Sequence, residues 1–234
     1  MSNPAGNHSG IGRRQLLQTV LSGAVLGAAT QAGIDLVNPR TLHAQTALNP
    51  DEALHELLAG NQRFAANQLT SITHDLIIMK ERTVNKQEPF AAVLACADSR
   101  IPVELVFDQT IGHLFVTRVA GNVVTPEIVA SLEFGVAVLE IKALLVIGHS
   151  SCGAVRAAMT SDTVPGQISV LYQRIHSAIE KSGGNIDKAI QANARIQAEL
   201  LRASSTVIRE ATKTGKLRVE SAVYDLATGK VSLI

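Results

Sequence analysis

Residues 90–96, FAAVLAC, form an unbroken apolar run of strand length, and the polar stretch ADSRIP follows at once. Two runs of the same kind stand downstream, HLFVTRVA at 113–120 and KALLVIGH at 142–149. Runs this short, continuous and rich in branched residues predict inner strands buried on both faces, hence a parallel sheet covered by helices. Between the second and third, TPEIVASLEFGVAVLE is helical in pattern: Thr125 can cap it, Pro126 and Glu127 suit the first turn, and Ile128, Leu132 and Val136 recur at i+4. That is a strand–helix–strand unit, for which a right-handed crossover is expected. The expected fold class is α/β, a mainly parallel β-sheet flanked by helices.

Upstream, LNPDEALHELLAGNQRF predicts a helix with Asn49 as N-cap, Pro50 in the first turn and Glu52 completing a capping box. A weaker helical pattern runs through ITHDLIIMKERTVNK at 72–86, and Pro89 ends it. Downstream, the pattern is helical again from Ser169 to Lys213, interrupted by KSGGN, where Asn185 can cap the second helix. The tail KLRVESAVYDLATGKVSLI reads as a strand, a turn around Thr228 and Gly229, and an added C-terminal strand. No internal repeat or low-complexity segment breaks residues 46–234, which are expected to form one domain.

The 234 residues are 46% hydrophobic and 18% charged, with a formal net charge of +1, which suits an ordinary globular core. Near-neutral charge and 3% aromatic residues give no footing for nucleic-acid binding. Residues 1–45 read as a leader. A polar start precedes Arg13 and Arg14, and QLLQTVLSGAVLGAAT follows, too short and too often polar to span a bilayer. Paired arginines before a mildly apolar run resemble a twin-arginine export signal. A cut after Ala44 is conceivable, although Leu42 is bulky for that purpose. The expected location is exported, periplasmic or in a thylakoid lumen or cell envelope, and cytoplasmic if the leader does not function. No transmembrane span is expected in the mature chain.

The two cysteines, Cys96 and Cys152, decide the chemistry. Cys96 ends one predicted strand, and His149 with Cys152 ends another, in VIGHSSCGAV. Ligands gather at the carboxyl ends of parallel strands, so two thiolates and an imidazole can converge there. Three such ligands with one position open describe a catalytic zinc site. Gly148 and Gly153 bracket the His-x-x-Cys turn and are expected to let it fold tightly around the metal. Asp98 and Arg100 alternate with Cys96, which on an extended backbone would point all three the same way. The arginine can then hold the carboxylate by a bidentate fork, and the carboxylate can orient a water. A Cys96–Cys152 disulfide is the rival in an oxidising compartment. It would leave Asp98, His149 and the glycines without a joint purpose, and twin-arginine cargo is exported folded, with metal able to protect the thiolates.

CADSR followed by GHSSCGA resembles the β-class carbonic anhydrases, whose pattern is Cys-x-Asp-x-Arg and then His-x-x-Cys. ALHELLAGNQRF, HLFVTRVAGNVVTPEIVASLEFGV and AVYDLATGKV extend the resemblance over residues 48–234. It implies one Zn2+ per chain on Cys96, His149 and Cys152, an Asp98–Arg100 pair, and reversible hydration of carbon dioxide to bicarbonate and a proton. It also implies a sheet extended by an extra strand, and N-terminal helices that clasp a partner in a homodimer or homotetramer. Gln109 corresponds to a family glutamine lining the substrate pocket. His113 stands where relatives usually carry an acid, and is expected either as a surface or interface substitution or as a proton-transfer group. The other histidines lack cysteines at ligand spacing and are expected to be structural or exposed. Relatives that hydrolyse carbon disulfide or carbonyl sulfide supply one alternative, and a non-catalytic zinc-binding assembly module supplies another.

Overall fold

The computed structural model describes residues 46–71, 81, 83–160 and 164–234. The expected leader at 1–45 and most of the weaker helical pattern at 72–86 lie outside the described residues. β1 (Ala91–Ala95) is the strand that the FAAVLAC run predicts, and all five of its residues are buried. β2 (Leu114–Arg118) and β3 (Ala143–His149) follow the other two runs. β4 (Arg218–Tyr224) and β5 (Val231–Leu233) form the C-terminal hairpin.

The strand order is β2-β1-β3-β4-β5, with the first three pairings parallel and the β4–β5 pairing antiparallel. β2 is therefore an edge strand rather than an inner one, and this explains its partial burial, with Phe115 and Val116 half-covered and Arg118 exposed. Its apolar run is a consequence of one buried neighbour and an open flank, a distinction that periodicity in a five-residue segment does not carry.

The helices are α1 (Pro50–Ala65), a single turn α2 (Val103–Val106), α3 (Pro126–Ala137), α4 (Gly153–Thr160), α5 (Ser169–Ser182), α6 (Ile186–Ser204) and α7 (Thr206–Lys213). Sequence capping signals fix several of their ends. Asn49 Oδ1 accepts from the N–H groups of Asp51 and Glu52 while Glu52 reaches back to the Asn49 N–H, the reciprocal capping box. Thr125 caps α3 and Asn185 caps α6. One expected helix after Asn185 is in fact two, because Ser205 leaves the helical conformation and caps α7 with its hydroxyl.

Alternation along β1 and β3 divides the core into two layers. Ala91, Val93, Ala95, Leu145 and Ile147 pack with Leu57 of α1, Val155 of α4 and Ile175 of α5. Ala92, Leu94, Leu144 and Val146 pack on the opposite face with Leu132 of α3, Leu201 of α6 and Ile208 of α7. The two-sided burial is what makes these strands apolar at every position. No described helix is long and apolar enough to cross a membrane.

The candidate metal centre

β1 and β3 run side by side with Leu94 opposite Val146, so the residues just beyond Ala95 and at His149 emerge at the same end of the sheet. Cys96 follows the end of β1 there, and the turn after His149 brings Cys152 to the position just before α4. Ser151 takes a left-handed conformation (φ 56) to close that turn. The result is a cluster of Cys96, His149 and Cys152 whose ligand atoms all lie within 4.8 Å of one another. All three residues are buried, and both thiols are free, so no disulfide joins them. Gly148 has a different role from the one its position suggests. A Cβ there would sit 3.0 Å from Ile190 Cγ2 and 3.2 Å from its carbonyl oxygen, so glycine serves close packing of β3 on α6. At Gly153 a Cβ would meet nothing within 4 Å.

The chemistry of the donor set suits a soft divalent cation. His149 Nδ1 lies 3.0 Å from the Ser150 carbonyl, which can only accept, so that nitrogen carries the proton. Its Nε2 is then a lone-pair donor, and it is buried without any hydrogen-bond partner. A buried nitrogen left in that state costs free energy unless something coordinates it. The sulfurs are prepared for the same purpose. A hydrogen bond with Cys152 lowers the Cys96 thiol below its ordinary value, against burial and with help from the N–H groups of Gly121 and Asp98. The same hydrogen bond pushes Cys152 up, as do burial and the charge on Cys96, while the N–H groups of Val155 and Ala154 at the start of α4 oppose the rise. Two adjacent buried thiols oppose each other's ionisation, and a bound cation relieves that by displacing their protons. The Gly121 N–H donates directly to Cys96 Sγ at 3.2 Å.

Asp98 and Arg100 meet as expected, but not by strand alternation. The strand ends at Ala95, and a turn at residues 98–101 is closed by the Ile101 N–H on the Asp98 carbonyl. Asp98 Oδ1 accepts from the Arg100 backbone N–H (3.0 Å) and Nε (2.9 Å), and Oδ2 accepts from Nη2 (2.7 Å). An Asx turn, a local habit of aspartate, brings the fork together. Arg100 thereby holds the Asp98 carboxyl well below the usual carboxylate range. Asp98 Oδ2 lies 3.9 Å from His149 Nε2, which places an ionised oxygen at the edge of the ligand cluster.

Two further expected participants have hydrogen bonds or ring contacts of their own. The Gln109 amide donates to Glu56 Oε1 and to the Phe107 carbonyl, tying its own turn to α1. His113 precedes β2 at the sheet end opposite Cys96, is exposed, and packs edge-on against Phe90 with ring centroids 6.5 Å apart. Five strand residues at about 3.3 Å each separate the two ends, far too much for proton transfer within one chain. The surface reading of His113 is the one this geometry favours.

Arg118 escaped the reading of the sequence. Its Nε donates to the Cys96 carbonyl at 3.0 Å and its Nη2 to the Asp98 carbonyl, clamping the loop that carries both groups. The signal was present as an arginine at the last position of a strand whose neighbour ends one residue before the ligand cysteine.

The carbonic anhydrase family model matches residues 91–231. Carbonic anhydrase 2 of Mycobacterium tuberculosis is 32% identical over 197 residues, covering 79% of this chain and 93% of that protein. The carbonic anhydrase of Mycolicibacterium smegmatis is 33% identical over 193 residues, with the same coverage. Among solved structures, a tetrameric β-carbonic anhydrase of Sordaria macrospora superposes with a TM-score of 0.64 at 22% identity, over 77% of this chain and 96% of that one. The Coccomyxa β-carbonic anhydrase, in complex with acetazolamide, gives a TM-score of 0.61 at 26% identity, over 77% and 86%.

Proposed function

The chain belongs to the β-class carbonic anhydrases, and we propose that it catalyses the reversible hydration of carbon dioxide to bicarbonate and a proton, with one Zn2+ held by Cys96, His149 and Cys152. One observation carries the reading. Three donor atoms of zinc-binding type lie within 4.8 Å of one another, and the imidazole nitrogen among them is buried with no other partner. Bound there, Zn2+ supplies Lewis acidity, which lowers the pKa of water from about 15.7 toward neutrality.

The remaining work falls to the chain. Cys96 and Cys152 hold the cation as thiolates, and the N–H groups of Gly121, Val155 and Ala154 draw charge from the sulfurs. Asp98 is acceptor-only while Arg100 keeps it ionised, so it would accept the hydrogen bond of the attacking oxygen and leave that oxygen's lone pair to face carbon dioxide. The arginine fork fixes the direction of that acceptor, which is the positioning part of the rate enhancement. Carbon dioxide and water give bicarbonate and one proton, and that proton leaves to buffer. The test is turnover by zinc-quantified protein on carbon dioxide, carbonyl sulfide and carbon disulfide. Turnover on carbon dioxide far above the other two is expected. Zinc-loaded protein inactive on all three gases would leave the assembly-module reading instead.

Two coarser readings accompany it. Residues 1–45 are proposed as an export leader placing the enzyme in the periplasm or an equivalent envelope space, supported by Arg13 and Arg14 ahead of the apolar run. A reporter that functions only after export, fused to these residues, should be delivered in a pair-dependent way. The enzyme is proposed to form a homodimer or homotetramer. The edge strand β2 and the exposed Phe134 of α3 (47%) offer an apolar flank, and the Sordaria relative is tetrameric. Light scattering on the purified chain measures it.

A further inference from the structure

α6 buries an apolar stripe, Ala189, Ile190, Ala194, Ala198 and Leu201, yet two amides interrupt it. Asn193 and Gln197 are each 1% exposed. Amides in such a place are costly unless their hydrogen bonds are spent on something. Here all but one of those bonds run to residues 121–124 or within the pair. Asn193 Nδ2 donates to the Gly121 carbonyl at 2.8 Å, and its Oδ1 accepts from Gln197 Nε2 at 3.1 Å. Gln197 Oε1 accepts from the Val124 N–H at 2.7 Å, and its Nε2 also reaches the Arg174 carbonyl at 3.1 Å.

The gripped segment is one that would not hold its shape unaided. Gly121 (φ 75) and Asn122 (φ 44) are consecutive left-handed residues, a conformation that persists only where the surroundings over-determine it. The space is also closed, since a Cβ on Gly121 would lie 2.8 Å from Ile175 Cδ1. The product of this geometry is the Gly121 N–H aimed at Cys96 Sγ.

We propose that Asn193, backed by Gln197, is a positioning residue of the metal centre: by holding Gly121 from its carbonyl side it keeps the Gly121 N–H on the Cys96 sulfur and so sets how much charge that sulfur gives to the bound cation. The inference rests on the zinc reading above. An N–H···S bond withdraws charge from a thiolate, so its loss leaves a stronger sulfur donor and a weaker Lewis acid.

The experiment replaces zinc by Co2+ in the full chain and reads the sulfur-to-cobalt charge-transfer band, alongside zinc affinity by chelator competition and the pH profile of kcat. In Asn193→Asp the donor to Gly121 becomes an acceptor of the same shape. The band should move to lower energy, zinc affinity should change by about 10- to 100-fold, and the pH midpoint of kcat should rise. Gln197→Glu keeps the acceptor for Val124 and loses the donor to Asn193, so a smaller shift in the same direction is expected, which preserves the test if the first variant does not fold. Leu201→Val, buried on the same helix but in the other core layer, should lower thermal stability and leave the band in place. Unchanged band position and zinc affinity in whichever amide variant folds, or an equal band shift in Leu201→Val, would overturn the inference. Failure of the wild type to bind either metal would instead overturn the zinc reading on which it stands.

Discussion

Two of the aspartate–arginine pairs among the described residues, Asp108–Arg63 and Asp98–Arg100, differ in what the carboxylate has left to give. Asp108, φ 47 and with a side chain 0% exposed, receives Arg63 Nε, the backbone N–H groups of Thr70 and Ser71, and both of their hydroxyls. Every acceptor site it has is filled. Asp98, with a side chain 16% exposed, receives only Arg100, through the fork and one backbone N–H, and faces His149 Nε2 with Oδ2. The same chemical pair is a staple in one place and a poised acceptor in the other. Residual hydrogen-bonding capacity separates them, and neither pairing nor burial alone would.

Substitutions at the two sites should therefore have opposite signatures. Asp98→Ala should lower kcat/KM for carbon dioxide hydration by about 10²- to 10⁴-fold, the usual worth of a positioned acid–base group. Zinc content by metal analysis and the thermal midpoint should stay at wild-type values. Asp108→Ala leaves Arg63 and four donors without their acceptor, and a loss of about 3–5 kcal/mol in denaturant unfolding is expected, as for a broken buried pair. Its turnover per folded, zinc-loaded chain should match wild type. If Asp98→Ala unfolds the protein or Asp108→Ala abolishes turnover, the contrast is wrong.

Arg100→Ala sharpens the contrast further. Arg100 is what holds Asp98 below the ordinary carboxylate range, so its removal lets that pKa rise toward about 4. The acid limb of kcat/KM should move to higher pH than in wild type, read from a profile between about pH 4 and 7. The smallest effect concerns stability against pH. Burial works to raise the Asp108 carboxyl, and Arg63 with the Ser71 and Thr70 N–H groups overcomes it, leaving a pKa below the ordinary value. A depressed folded pKa contributes stability that is present above about pH 3.9 and is lost as pH falls toward the folded value. Asp108→Asn should flatten that acid slope, and urea midpoints at successive pH values measure it.

Much of this was legible in the sequence because it is local. Apolar continuity at 90–96 and 142–149 marks strands buried on both faces, and the Asn49 and Asn185 caps mark helix starts that need only four residues to form. Cys96 and His-x-x-Cys were legible as ligands because parallel strands deliver their carboxyl ends to one place. What was not legible depends on distant partners. Whether 113–120 lay inside the sheet or at its edge is decided by strand order. Gly148 was assigned to the turn beside it, yet α6, some forty residues on, supplies the contact that requires it. Asn193 and Gln197 read as ordinary helix residues until the helix is placed against Gly121.

The central claim is that two sulfurs and one imidazole of this chain share a single zinc ion with one position left for a lighter ligand. Zinc K-edge X-ray absorption on purified, active, full-length protein tests it most directly. The account predicts one zinc per chain, two sulfur scatterers at about 2.3 Å and two lighter scatterers at about 2.0–2.1 Å. A folded and active protein without zinc, or a shell with fewer than two sulfurs, would contradict it.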